Sequence, residues 1–177
     1  MKTIAVYPGS FDPPTYGHLN IIERSSRVFS RVIVAVAKNL RKDTMFTAAE
    51  RMAMLRKLTR SFPNVEVDSF RGLLVEYVRV VEAHVVVRGL RAISDFEYEF
   101  QMAHMNKKLS PEVDTVFMMT GERYSYISSH IAKEIARFGG KIDDLAPPLV
   151  RDMVFRKLGR KKESIEPRTA GKGAKIR

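Results

Sequence analysis

Tyr7-Pro8-Gly9-Ser10-Phe11-Asp12-Pro13-Pro14-Thr15-Tyr16-Gly17-His18 follows the short apolar run Ile4-Ala5-Val6 and precedes an amphipathic segment beginning at Leu19. The pattern reads as a strand, a Gly/Pro-rich loop and a helix. The turn after a first strand is where α/β folds hold phosphates, because backbone N–H groups and the positive end of a helix converge there. His18, as the first side chain of that helix, adds a donor where a phosphoryl oxygen would sit. A lone histidine is usually structural, but its place behind Gly17 and a Gly/Pro loop favours a phosphate site. The loop carries neither G-x-G-x-x-G nor G-x-x-x-x-G-K-[ST], so it is neither the dinucleotide fingerprint nor a Walker loop.

Working outward, apolar runs alternate with helical patterns. Val32–Ala37 is continuously apolar, as in a strand covered on both faces. Thr47-Ala48-Ala49-Glu50 is a capping box opening a helix with Met52, Leu55 and Leu58 inside. Val65–Phe70 reads as strand three, Leu73–Glu82 as a helix and His84–Arg88 as strand four. Ser94-Asp95-Phe96-Glu97 reads as a second capping box, opening a helix to about Leu109. Val113–Met119 reads as strand five; Ser128 and Ser129 open a helix stopped by Gly139-Gly140, and Pro147-Pro148 starts a last one ended by Gly159.

Five strands with intervening helices imply a single-domain α/β fold, a Rossmann-like doubly wound five-stranded parallel sheet over residues 1–159. Ligands bind such sheets outside the carboxyl ends of the strands, at the switch in strand order. Ser10–His18, Asn39–Lys42, Arg88–Arg91 and Gly121–Ser129 follow strands one, two, four and five, so phosphate-type chemistry converges on one edge.

The 177 residues carry a net charge of +11 and no cysteine. Disulfides and thiolate chemistry are excluded, and a cytoplasmic protein is expected. No apolar run approaches the roughly 20 residues of a membrane span. From Arg151 onward ten Lys/Arg face three acidic residues, so this end supplies +7 of the charge. Residues 160–177 are therefore expected to form a basic, disordered tail.

Arg88 and Arg91 frame Gly89 at a strand exit, which suits anion binding; the alternative is surface ion pairing with Asp95 or Glu99. Phe96, Phe100, Met102 and Met105 fit core or subunit contact better than a cofactor box. No Asp/Glu/His cluster has fixed-ligand spacing, so no protein-held metal is expected.

The first stretch resembles the opening signature of phosphopantetheine adenylyltransferases, members of the nucleotidyltransferase superfamily with an H-x-G-H-type motif whose first position is Thr15 here. Val87–Ala92 with Asp95–Glu99 and Met102–Asn106 resembles the family's central block. Tyr126-Ile127-Ser128-Ser129 is similar to its third motif, and Lys42 with Met45–Thr47 and Glu50-Arg51 to the segment after strand two. The resemblance covers about residues 3–158. Ser10 stands where the family often has Thr, and His130 where it commonly has a small polar residue.

The resemblance implies adenylyl transfer from ATP to 4′-phosphopantetheine, giving dephospho-coenzyme A and pyrophosphate. It implies His18, Ser10, Lys42 and Arg91 as catalytic residues, and Ser10, Lys42, Leu74 and Arg88 as ligands of the acceptor substrate. For ATP it implies Ser10, Phe11, His18, Gly89, Leu90, Arg91, Glu99, Tyr124, Ser125, Tyr126, Ile127, Ser128, Ser129 and His130. It further implies Mg²⁺ carried on ATP, a homohexamer and feedback inhibition by coenzyme A. Another nucleotidyltransferase, such as one using nicotinamide mononucleotide, would share the first motif but lack the R-G-L-R and D-F-E-Y-E block. A basic nucleic-acid-binding module is the other alternative; no RNP motif or zinc-binding pattern supports it. No membrane partner is expected.

Overall fold

The computed structural model describes residues 3–38, 44–91 and 93–159, the side chains of residues 93 and 94 excepted. The basic segment 160–177 and Lys42 lie outside the described residues. The chain runs β1 (Ile4–Gly9), α1 (Tyr16–Val28), β2 (Arg31–Ala37), α2 (Ala48–Leu58), β3 (Val65–Phe70) and α3 (Leu74–Val80). It continues with β4 (Val85–Leu90), α4 (Ile93–Leu109), β5 (Asp114–Met119), a short 3₁₀ turn at Glu122–Tyr124, α5 (Ser129–Arg137) and α6 (Pro148–Lys157).

The five strands form one parallel sheet in the order β3-β2-β1-β4-β5. The chain winds outward from β1 to β3, then crosses back to β4 on the other side of β1. The order therefore switches between β1 and β4, where a doubly wound sheet opens its crevice. The two strands separate early: β1 pairs with β2 from Ile4 to Gly9, but with β4 only at Ala5 and Val6. Pro8 is tolerated in this central strand for that reason. Its carbonyl points toward β4 and is taken by Arg88 Nη1 at 3.0 Å, so its missing N–H also faces the gap and leaves no ladder bond unmade.

Sequence patterning accounts for the layers. Val32 to Val36 are all buried, matching a strand covered on both faces. Ala5, Tyr7, Val34, Val36 and Val87 pack on one face with Ile21 and Ile22 of α1 and Leu55 of α2. Val6, Ile33, Ala35 and Val86 pack on the other face with Val78 of α3. A third cluster joins Phe46 and Met54 to Ile127, α5 and α6, closing the domain beside the crevice.

Several boundaries differ from the sequence reading. β1 continues through Tyr7, Pro8 and Gly9, and β4 through Gly89 and Leu90, so Arg88 sits inside a strand rather than at its last position. α1 begins at Tyr16, not near Leu19, and His18 is its third residue rather than its first. α4 begins at Ile93, so Ser94 is already helical, and Asp95 turns back onto the Arg91 N–H at 3.3 Å. Phe96, Phe100, Met102 and Met105 are not core: each is at least 40% exposed in the single chain.

Candidate active site

At the carboxyl ends of β1 and β4 the sheet opens into a cavity of about 440 Å³. Ser10, Phe11, His18, Arg88, Gly89, Arg91, Glu99, Ile127, Ser128, Ser129 and His130, drawn from four separate segments, all line it. Leu74 instead lines a smaller neighbouring cavity of about 90 Å³, whose wall shares Arg88 and Glu99 with the first. Leu90 is buried beneath the strand end, and Tyr124, Ser125 and Tyr126 form a turn that does not reach the cavity wall. Tyr124 there stacks on Tyr16 at 6.4 Å between ring centres, while Tyr126 is exposed.

His18 is fixed by the cap of its own helix. Thr15 is the N-cap, and its hydroxyl accepts from the His18 N–H at 3.4 Å. In return His18 Nδ1 accepts from the Thr15 backbone N–H at 3.0 Å and lies 2.9 Å from the Thr15 hydroxyl. This is a capping box with histidine in the place usually held by Glu or Gln. Because Nδ1 is an acceptor, the proton of the neutral ring belongs on Nε2. Burial, and then the nearby Arg91 charge, push the imidazole pKa down to about 4. The ring is thus neutral at physiological pH, with an Nε2–H donor at the cavity wall.

Phe11 supports the ring from below, edge to face with His18 at 5.0 Å and with Tyr7 at 5.4 Å. It adopts φ +49° and is 1% exposed. Its ring lies directly over Gly9, where an added Cβ would meet Phe11 Cζ at 2.9 Å. Glycine at position 9 is therefore what allows the aromatic support to fold back onto the strand.

Both arginines line the cavity, and both are also ion-paired. Arg88 donates to Glu99 through Nε at 2.6 Å and through Nη2. Burial pulls its pKa down, but the bonds and charge of Glu99 outweigh that and raise it, so the guanidinium stays charged. Arg91 holds Asp95 in a fork, Nε at 2.9 Å and Nη2 at 3.1 Å, and its Nη1 reaches the Ile127 carbonyl at 3.3 Å. The ion pairing posed as an alternative to anion binding is thus present, with the arginines still facing the cavity. On the far wall Ser128 caps α5 by accepting from the Ile131 N–H at 3.0 Å, so the start of that helix points at the cavity.

Behind the wall lie three charged residues that sequence reading missed. The carboxylate of Asp12, 4% exposed, accepts from the N–H groups of Met45 and Phe46 at 2.9 and 2.8 Å and from Lys133 of α5 at 2.8 Å. Arg51 of α2, 3% exposed, donates to the carbonyls of Ser10 and Ala37. These groups tie the first loop, the segment entering α2, and α5 into one frame. Asp12 and Arg51 fall within stretches that carry the family resemblance, but nothing local marks any of the three as buried, since Asp, Lys and Arg usually face water. Thr15 had a signal, a T-x-x-H cap, that the usual T-x-x-E/Q template does not include. Tyr7 and Asp95 also line the cavity and were not expected to.

A cytidylyltransferase-like family model matches residues 6–135. The phosphopantetheine adenylyltransferase of Natranaerobius thermophilus is 54% identical over 157 residues, covering 89% of this chain and 96% of that protein. The enzyme of that name from Anaeromyxobacter dehalogenans is 54% identical over 160 residues, covering 90% and 98%. Among solved structures, the nicotinic acid mononucleotide adenylyltransferase of Plasmodium falciparum, complexed with NaAD, superposes with a TM-score of 0.66 at 15% identity, covering 88% of this chain and 96% of that one. That last likeness is one of fold. The loop-and-cap site at the sheet's switch point and the near full-length identity agree: this chain belongs to the phosphopantetheine adenylyltransferase family of nucleotidyltransferases.

Proposed function

We propose that this cavity transfers the adenylyl group of ATP to 4′-phosphopantetheine, giving dephospho-coenzyme A and pyrophosphate. An oxygen of the acceptor's phosphate attacks the α-phosphorus; the bond from that phosphorus to the bridging oxygen of pyrophosphate breaks in line with it. The attacking phosphate is already ionised near neutral pH, so no general base is required. Positioning and charge stabilisation carry the rate. The observation that carries the reading is the neutral His18 locked by Thr15, with Nε2–H free to donate to a non-bridging α-phosphate oxygen as charge grows there.

In this scheme Ser10 orients the attacking phosphate through its hydroxyl, and Arg88 binds that phosphate. Lys42 neutralises the charge between the two substrates. Arg91, Gly89 and the start of α5 hold the ATP phosphates, and Glu99 positions Arg88 as well as facing the nucleotide. Leu74 lines the route taken by the pantetheine arm. Phe11, Leu90, Tyr124–Tyr126, Ile127 and Ser128–His130 complete the ATP side.

Mg²⁺ enters as part of the nucleotide substrate. Among the described residues no group of three or more His, Asp or Glu could hold a metal, and the wall carboxylates Asp95 and Glu99 are already engaged by arginines. Such a wall suits an ion carried by phosphates better than a protein cage. Coenzyme A, with the same pantetheine arm, acts as a feedback inhibitor, and the enzyme works in the cytoplasm as a homohexamer; the exposed Phe and Met side chains of α4 supply apolar surface for assembly. No described helix is long and apolar enough to cross a membrane.

Pyrophosphate release from Mg·ATP with and without phosphopantetheine tests the reading. Release should depend on phosphopantetheine and not on nicotinamide mononucleotide. Equal release with either acceptor would overturn the substrate assignment.

A further inference from the structure

We infer that Tyr7 is a phosphate-binding residue, its hydroxyl donating a hydrogen bond to the phosphoryl group that the cavity holds between Arg88 and Arg91. This rests on adenylyl transfer as the reaction of the site. Tyr7 lies on β1, and its ring belongs to the core on the α1 face, packed edge to face on Phe11. The side chain is 6% exposed and lines the cavity. Its hydroxyl makes no hydrogen bond to any of the described residues. Among the described residues no fully buried side-chain polar atom lacks a partner, and the opening toward which this hydroxyl can find one is the cavity that Tyr7 lines.

The surroundings fit an anion. Arg88 donates to the carbonyl of Pro8, the residue next to Tyr7, and both Arg88 and Arg91 act electrostatically on the phenol. Gly89 keeps the space over the hydroxyl open: a Cβ there would lie 3.5 Å from the Tyr7 oxygen and 3.0 Å from Ile21 Cγ1. Burial raises the phenol pKa well above its ordinary value, so the group is a proton donor at every working pH. Phenylalanine would fill the same core space. A nearly buried hydroxyl without a protein partner carries a desolvation cost that a ligand oxygen would offset. The two reacting phosphates meet here, so the shared chemistry is a phosphoryl oxygen, supplied by phosphopantetheine or by ATP.

Tyr7→Phe separates the sources. The variant keeps the ring contact with Phe11, and its melting midpoint checks that the fold is unchanged. Binding is measured for phosphopantetheine against pantetheine and for ATP against adenosine, with kcat/KM for both substrates. Affinity should fall roughly 10- to 100-fold, the size expected for a hydrogen bond to a charged group, for the phosphorylated member of one pair and not for its unphosphorylated counterpart. A loss confined to phosphopantetheine places the hydroxyl on the attacking phosphate; a loss confined to ATP places it on the nucleotide. Unchanged binding of all four ligands, or equal losses with and without phosphate, would overturn the proposal. If wild-type protein released no pyrophosphate with phosphopantetheine, the acceptor reading would fail, while the ATP and adenosine pair would still decide the role of Tyr7.

Discussion

Replacing His18 by alanine should separate the structural role of its ring from the catalytic one proposed for it. The first is structural. Nδ1 accepts from the Thr15 N–H, and the ring packs edge to face on Phe11. Losing the acceptor strands a partly buried backbone donor, at about 1–2 kcal/mol, and losing the aromatic pair costs about 0.5–1.5 kcal/mol. His18→Ala should therefore unfold at lower urea, with stability reduced by about 2 kcal/mol. The second, proposed role is that of Nε2–H donor to the α-phosphate. Removing one preorganised donor of this kind lowers kcat by about 10²- to 10³-fold, equivalent to about 2.7–4 kcal/mol of transition-state stabilisation. The assay is pyrophosphate release at saturating Mg·ATP and phosphopantetheine, with ATP affinity measured separately by calorimetry. Affinity should move by less than about threefold, because the interaction strengthens only as charge develops. A kcat within about threefold of wild type would refute the donor role; a large loss of ATP affinity at unchanged kcat would show that the ring binds the ground state instead.

The neutral state of His18 has its own test: its imidazole NMR signals should show the Nε2–H tautomer and no titration between pH 5.5 and 8, and a midpoint near 6.5 would contradict the depressed pKa of about 4. Because the folded pKa lies below the unfolded one, the unfolded chain takes up the proton first, so the His18 contribution to stability is complete above about pH 6.5 and is lost as pH falls toward 4. Arg91→Lys should cost at least about tenfold in kcat/KM despite the retained charge, since one ammonium cannot replace a fork that holds Asp95 and also reaches the Ile127 carbonyl; unchanged kcat/KM would reduce Arg91 to a counter-charge. Asp12→Ala strands Lys133 and two backbone N–H groups and should destabilise the chain by about 3–5 kcal/mol in urea unfolding, a loss under about 1 kcal/mol showing that the frame is not held there. Deleting residues 160–177 should leave turnover intact while weakening retention on heparin at low salt; unchanged retention would place the relevant charge on the folded body.

The fold was legible because β2 is apolar enough to declare itself covered on both faces, and because Thr47–Glu50 spells out a helix start that the structure reproduces. The end of β1 was not legible. Pro8 and Gly9 read as loop, and only the early separation of β1 from β4 makes them admissible in a strand. The start of α1 was hidden because its box closes with an imidazole instead of a carboxylate. That His18, Arg88 and Arg91 share one cavity wall could be read from their positions alone. The burial of Arg51, Lys133 and Asp12 could not, since nothing local distinguishes a buried charge from a solvated one until distant segments supply its partners.

The carboxylates that occupy Arg88 and Arg91 give the cleft a further property. A phosphate arriving there does not meet bare positive charge; it must displace, or share a guanidinium with, Glu99 or Asp95, each already held in a fork. The carboxylate stays anchored nearby, so the incoming anion also meets its repulsion. A free inorganic phosphate or chloride ion gains little from that trade. A phosphate tethered to adenosine or to a pantetheine arm arrives at high local concentration and can drive it. If the cavity binds phosphates as proposed, the internal ion pairs would act as a built-in competitor that disfavours small free anions and admits those delivered on the right handle.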